Sequence, residues 1–511
     1  MSTTVINTNY GTYTQLLRES TMFHMSLGSK ELFHSNFLHW ISTVNWNAFL
    51  NILHGLTGIK KFWWEDQFCP NSQNIEVRRE FHHFDLSIYI LDPERHVNDT
   101  SMDSCIADQG TDDYRFSEKG RTVQKWIPVL ILENKMKSLP YREQLVEYTN
   151  KAFNEWRSGS LIKKDIKDIK NKPDSYSDWS TQHGITFILL SLMDTRIGKG
   201  TTEDYTVSQK LVYKRKSNKE SLDFSFNWKH VTYRDLLAFL PKPEDTTFSN
   251  YKLDNLVIQD YSRFLDSLCS LANSCWKINP QKSFRLQISP WEKKSDKGNL
   301  KANEYKEKII ELEEYKDLRI HDIHEKIQYD QLLVLLESKL LNTGCKYARF
   351  DSRTNENRFE EGVRVFTKSD YAHGVGIFEA QVYLFKNTNL TEKYLKLIIQ
   401  VQGERYCHML ICDNIAKGSK RVNPDMIKDL KKKISRFWMS NQPDINNSLS
   451  NFISIENSIP IFRLSTNNEF SWGKYGDNNI YQYIDIPHDK TINEVIEAMV
   501  DDIESIQGWF K

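Results

Sequence analysis

The chain has 511 residues, enough for roughly two or three domains, and 39% hydrophobic with 12% aromatic residues exclude a disordered or low-complexity protein. Its 68 basic and 68 acidic side chains cancel, so no global field draws in nucleic acid and any such binding rests on a local surface. Seven cysteines without a C-x-x-C pair exclude a disulfide framework and point to a reducing compartment; with no apolar run long enough to span a membrane and no secretory leader pattern, the expected setting is cytoplasmic, with no membrane partner.

From the N-terminus, residues 1 to about 25 are polar and short of core formers, and are expected to form a frayed lead. From Ser29 to Trp46, Phe33, Phe37, Leu38 and Ile41 follow helical spacing. Glu31 and Ser35 lie four apart on an adjacent strip, where Glu31 either faces a site at the sheet or is a solvated first-turn acid. Lys61 to Phe68 and Ile75 to Phe81 alternate and read as strands leading into Phe84 to Leu91. In that last strand Phe84, Leu86, Ile88 and Ile90 share one face while Asp85, Ser87 and Tyr89 share the other. His82 and His83, as adjacent extended residues, point to opposite faces and make no two-histidine metal site; at most His83 touches a substrate. Asp92 to Gly120 holds Asp99, Asp103, Asp108, Asp112 and Asp113 among turn formers, and reads as a mobile hairpin insertion whose charge repels phosphate.

Trp126-Ile-Pro-Val-Leu-Ile-Leu-Glu133-Asn134-Lys135 is an apolar run ending in a carboxylate and an amine, and reads as a strand buried on both faces. Residues two apart on a strand share a face, so Glu133 and Lys135 emerge side by side at its carboxyl end with Asn134 turned away. Pro140, at a first helical position, starts a helix running to about Trp156. Its buried stripe is Leu145, Thr149, Ala152, Phe153 and Trp156; Gln144, Tyr148 and Lys151 form a polar edge that is either solvated or, starting so soon after Lys135, part of a site.

Lys163 to Lys172 is a basic connection, and Gly184 to Met193 a further strand. The order helix, strand, strand, strand, helix, strand predicts an α/β fold, a mixed central sheet with flanking helices. Lys210 to Lys219 interleaves bases with Tyr213, as a nucleic-acid contact or a solvated loop. Asn255 to Cys275 is an amphipathic helix closing a first domain, residues 1–275. Pro280 to Gly298 reads as a linker and Asn303 to Leu341 as helix, so 276–344 forms a helical connector, either packed in a core or pairing two copies as a homodimer. Strands at Gly374 to Phe385, Tyr394 to Gln402 and Tyr406 to Cys412, with helices at Asp425 to Trp438 and Thr491 to Trp509, make 345–511 a C-terminal α+β domain. Cys407, His408 and Cys412 read as core strand residues with buried thiols, and Lys431 to Arg436 as a solvated helix face.

Asp85 followed by Glu133-Asn134-Lys135 resembles the PD-(D/E)XK nuclease superfamily, and more narrowly its bacterial proteins that carry a Glu-Asn-Lys triplet. Three further stretches resemble that family's pattern: Glu31-Leu-Phe-His-Ser-Asn-Phe-Leu-His-Trp-Ile41, its first helix with a Glu; Pro140 to Tyr148, the helix after the triplet with a Gln and Tyr one turn apart; and Trp228 to Leu237, a segment following the core. The resemblance covers about residues 20 to 275. Phe84 departs from the Pro of the superfamily's name, and the gap from Asp85 to Glu133 is long.

The resemblance implies a restriction-endonuclease-like α-β-β-β-α-β core and a Mg²⁺-dependent nuclease, Mn²⁺ being able to substitute, acting on DNA rather than RNA and plausible in anti-phage defence. Asp85, Glu133 and the Asn134 main-chain carbonyl would hold the ion, since hard ions take oxygen ligands. Lys135 would orient the attacking water and balance charge at phosphorus. Glu31 and Gln144 would complete the catalytic set, while Tyr148, Ser35 and Lys151 would touch substrate. Two other expectations stand beside it: an idle nuclease fold serving as a binding or sensing module through its C-terminal domain, and a non-nucleolytic structural subunit assembled through the 303–341 helices.

Overall fold

The computed structural model describes residues 6–26, 30–66, 74–91, 126–136, 141–157, 184–194, 201–215, 218–242, 249, 252–288, 321–349, 365–372, 375–386, 393–414, 472–475 and 479–508. The apolar run lies inside a six-stranded mixed sheet. Strand β3 (Trp126–Lys135), buried at every residue after Trp126, pairs antiparallel with β2 (Phe84–Leu91) and parallel with β4 (Thr186–Ser191). The full order is β1-β2-β3-β4-β6-β5, with β1 (Ile75–Phe81) on one edge and, after the short α6 (Thr202–Tyr205), the hairpin of β5 (Thr206–Arg215) and β6 (Asn218–Thr232) on the other. Such a strand can be apolar throughout because helices cover both faces.

Cross-strand partners share a face, and Leu86 is opposite Leu132, Glu133 opposite Leu189, Leu189 opposite His230, and Lys135 opposite Ser191. Asp85, Glu133, Lys135, Ser191 and His230 therefore belong to one face, the one covered by α5 (Arg142–Trp156). Asn134 belongs to the other, toward α3 (Lys30–Val44), α7 (Tyr233–Phe239) and α8 (Lys252–Ser270). The helix after α3, α4 (Trp46–Thr57), starts where Asn45 accepts the Ala48 N–H at 2.9 Å, an N-cap satisfying one orphan donor of the first turn.

Residues 6–26 are not a frayed lead. They form α1 (Ile6–Glu19) and α2 (Thr21–Ser26), which bury Leu17 and Phe23 against α8 while the Met22 N–H donates to Asp260 at 2.9 Å. The few apolar residues there suffice because they fall on one face. Lys61 to Asp66 is a turn rather than a strand, since Glu65 folds back to accept from the Phe62 N–H at 3.1 Å and from His54 at 2.9 Å. Phe62 and Trp64 then stack in the core instead of alternating. His82 and His83 are not extended. Phe81 pairs with Phe84, leaving a two-residue hairpin turn with φ of 54° and 68°, the left-handed pair that a tight hairpin requires. The helix after the triplet begins two residues later than expected, with Tyr141 at the N-cap. The described part of the basic stretch from Lys210 lies on strands, residues 210–215 on β5 and 218–219 on β6.

A second core packs on a seven-stranded sheet of order β12-β13-β11-β10-β9-β8-β7. Its strands are β7 (Tyr347–Arg349), β8 (Val365–Ala372), β9 (Val375–Lys386), β10 (Lys393–Gln402), β11 (Arg405–Asn414), β12 (Trp472–Tyr475) and β13 (Asn479–Asp485), all antiparallel but for β7 with β8. The β10–β11 turn needs Gly403, whose φ is 57°. Gly376 of β9 is fixed by close packing, because a Cβ there would meet the buried Tyr329 ring at 2.1 Å.

This core takes in residues expected to be a linker. Short α9 (Phe284–Ile288) buries Phe284 and Ile288, and α10 (His321–Asn342) buries Tyr329, Leu332, Leu333, Leu336 and Leu340, beside α11 (Ile492–Gly508). The same α10 sends Ile323 and Ile327 into the first core. These apolar residues of α10 are thus covered within the chain, so a homodimer formed through the described part of this helix would have little to bury. The acidic stretch from Asp92, the basic connection from Lys163, the start of the helical region from Asn303 and the helix from Asp425, with its basic run from Lys431, lie outside the described residues. Cys407 is buried on β11, where burial pushes its thiol up to about 12, an inert core thiol.

Candidate active site at the end of the central strand

The carboxyl end of β3 gathers most of the residues singled out from the sequence. Glu133 and Lys135, two residues apart, pair at 2.7 Å between Nζ and Oε1, and both are almost fully buried, at 3% and 6% side-chain exposure. Helix α5 runs back across this face and brings Gln144 down on the same oxygen: its Nε2 donates to Glu133 Oε1 and to the Tyr148 hydroxyl, each at 2.9 Å. The i, i+4 spacing makes one amide bridge both groups.

Asp85 opens the neighbouring strand, half-buried, and its Oδ2 accepts the Asn134 main-chain N–H at 2.6 Å. Burial pushes the Tyr148 hydroxyl up to about 12, and the charges of Glu133 and Asp85 add to the shift. Both carboxylates therefore lie within electrostatic reach of that hydroxyl, which stays protonated at neutral pH.

The other expected residues are less central. Ser35 is buried in α3, and the side chain of Glu31 lies outside the described residues. Lys151 lies further along α5; burial lowers the pKa of His82 and the Lys151 charge adds to it, while the same charge opposes the burial that raises Glu155. His82 sits 3.3 Å from Glu155 and Phe84 packs edge-on against Tyr148, so the β1–β2 turn leans on α5.

Among the described residues no group of three or more His, Cys, Asp or Glu is placed to hold a metal ion. The donor set nevertheless suits a hard divalent cation: two carboxylates from adjacent strands and the Asn134 main-chain carbonyl are all oxygen. Gln144 Oε1 is also buried there without a hydrogen-bond partner. An orphaned buried acceptor is costly unless something positive satisfies it.

Five neighbours have no role assigned to them from the sequence. Tyr233 donates from α7 to the Asn134 side chain, His34 packs on Tyr233, and Ser191 binds His230 at 2.7 Å, with Tyr205 3.3 Å from the other ring nitrogen. Thr232 and Asp235 form a capping box that fixes where α7, and with it Tyr233, begins. No known protein family, curated protein or solved structure matches the chain.

Proposed function

We propose that the chain is a metal-dependent nuclease whose active site is the end of β3, with the PD-(D/E)XK arrangement that its sequence resembles. The observation that carries this reading is the convergence of Asp85, Glu133 and Lys135, from adjacent strands, on one face under Gln144. Asp85, Glu133 and the Asn134 carbonyl would hold a Mg²⁺ or Mn²⁺ ion, and a bound divalent ion supplies charge neutralisation at a phosphodiester and a more acidic water.

The chain's own groups would act around it. Lys135 places a cation where negative charge accumulates at phosphorus and can donate to a phosphate oxygen or to the attacking water. Gln144 keeps the Glu133 carboxylate in one orientation. Tyr148, protonated at neutral pH, serves as a hydrogen-bond donor and not as a base. The resemblance adds DNA over RNA as substrate and defence against phage as the setting.

A second reading, an idle fold acting as a binding module, is favoured by the extent to which Glu133 and Lys135 already satisfy each other in a buried pair. One experiment separates the two. Supercoiled, linear and single-stranded DNA, and RNA, are incubated with the chain in Mg²⁺, Mn²⁺ or chelator. Cleavage that stops in chelator and in Glu133→Ala supports the nuclease; intact substrates with either metal sink it.

A further inference from the structure

On the face of β3 away from the carboxylates, a buried polar chain leads into the Glu133-Asn134-Lys135 segment. Tyr233 is fully buried at the first position of α7, and its hydroxyl donates to Asn134 Oδ1. The main-chain N–H of the same Asn134 holds Asp85 on the next strand. The Tyr233 ring rests on His34 of α3, with centroids 4.6 Å apart, and His34 Nδ1 lies 2.7 Å from the Tyr261 hydroxyl of α8. His34 is fully buried and its pKa is lowered to about 3, so the imidazole is neutral, and its Nε2 has no hydrogen-bond partner.

Placing phenols and an imidazole in an aromatic cluster of Phe33, Phe37 and Phe264 is unfavourable for stability compared with apolar residues of the same volume. What the arrangement supplies is placement. Asn134 is gripped from behind by its side chain and from the side through its N–H, so the two peptide groups flanking it are fixed together. One of them holds Asp85. The other carries the carbonyl that would face a metal ion.

We infer that Tyr233 is a positioning residue for this site, acting through Asn134 on Asp85 and on the main chain of the triplet. For the proposed chemistry this rests on the nuclease reading; as a statement about the segment it does not. Groups that orient ligands from behind typically change metal affinity or activity by about 10–100-fold when removed.

Tyr233→Phe keeps the ring and its packing on His34 while removing only the hydroxyl. Three readouts are followed: Mg²⁺ affinity by calorimetry, kcat and KM on DNA, and amide hydrogen exchange of the peptide covering residues 130–136. Expected are Mg²⁺ binding weakened about tenfold or more, a comparable fall in kcat with KM for DNA unchanged, and faster exchange in 130–136. The Tyr233→Phe, Asn134→Ala double variant should be no worse than Asn134→Ala alone, because both remove the same contact. A lower melting temperature with exchange and metal affinity as in wild type overturns the inference and leaves Tyr233 a packing residue. Wild type that cleaves nothing sinks the nuclease reading instead, and exchange at 130–136 still decides whether Tyr233 holds the segment.

Discussion

At the scale of single residues the site is a set of mutual constraints. Lys135 and Asp85 have different partners and should fail differently. Lys135→Ala should slow single-turnover cleavage roughly a hundredfold or more while metal and DNA binding stay nearly intact, as loss of one preorganised donor does. Asp85→Ala should lose Mg²⁺ affinity together with activity, and unchanged calorimetry in that variant would remove Asp85 from the ligand set. Away from the chemistry, His34 makes a prediction about pH. Its pKa falls from 6.5 to about 3 on folding, so the unfolded chain takes up the proton first. Its neutral state is fully compatible with folding above pH 6.5, and stability declines as pH falls from 6.5 toward 3, by at most about 1.4 kcal/mol per unit. Urea titrations at pH 7.5 and 4.5 should show this acid limb in wild type and a flatter one in His34→Phe; an equally steep limb in the variant would assign it to other groups. Glu133, Lys135 and Gln144 could be read from the sequence because period-two and i, i+4 rules relate near neighbours in the chain. Tyr233 and His34 could not, since nothing local says that a tyrosine ninety-nine residues away meets Asn134.

At the scale of elements, the strands and helices with strong apolar period were legible and their ends were not. The central strand, α5, α8, β9, β10, β11 and α11 fall close to where periodicity places them, because burial on one or both faces leaves a repeated apolar pattern. The turn at His82 and His83 was missed since the pair has no glycine, the usual mark of a two-residue hairpin, yet the hairpin holds both residues left-handed. Strands β7, β8, β12 and β13 were missed because their neighbours in the sheet stabilise them more than their own sequences do. Short β7 illustrates this. Arg349 reaches Glu337 of α10 through Nε at 2.8 Å and a second guanidinium nitrogen at 2.6 Å, and Thr367 of β8 donates to the same carboxylate at 2.7 Å. Both members of the ion pair are buried, so Glu337→Gln should leave Arg349 an uncompensated charge and destabilise the second core by about 3–5 kcal/mol. Denaturation showing less than 1 kcal/mol would mean that water reaches the guanidinium.

For the whole molecule, composition points to a large core and more than one domain, and the described residues form two core clusters within a coarse α/β organisation. The boundaries were harder. A cut at Cys345 would separate the second sheet from Phe284, Ile288 and the leucines of α10 that close its core. A fragment starting at 276 should therefore unfold cooperatively in urea, whereas one starting at 345 should bind a hydrophobic dye and lack a sharp transition; equal cooperativity in both would show that α10 is dispensable. The sequence hid this because α10 is a single run of helix formers, and nothing in such a run marks where one core stops and the next begins.

That one helix serves two cores has a thermodynamic consequence. Ile323 and Ile327 sit among the side chains of the first sheet's core while Leu332 to Leu340 sit in the second, and Gln331 between them ties the helix to Trp276 O and the Ile278 N–H at 2.8 and 3.0 Å. Unfolding either core exposes part of the other's closing surface, so the two populations of open states are linked. Any molecule that binds only the folded second sheet, at a hundred times its Kd, adds about 2.7 kcal/mol there, and part of that stabilisation reaches the first sheet through α10. A partner of the C-terminal half would thus announce itself as slower hydrogen exchange at the end of β3, without touching it.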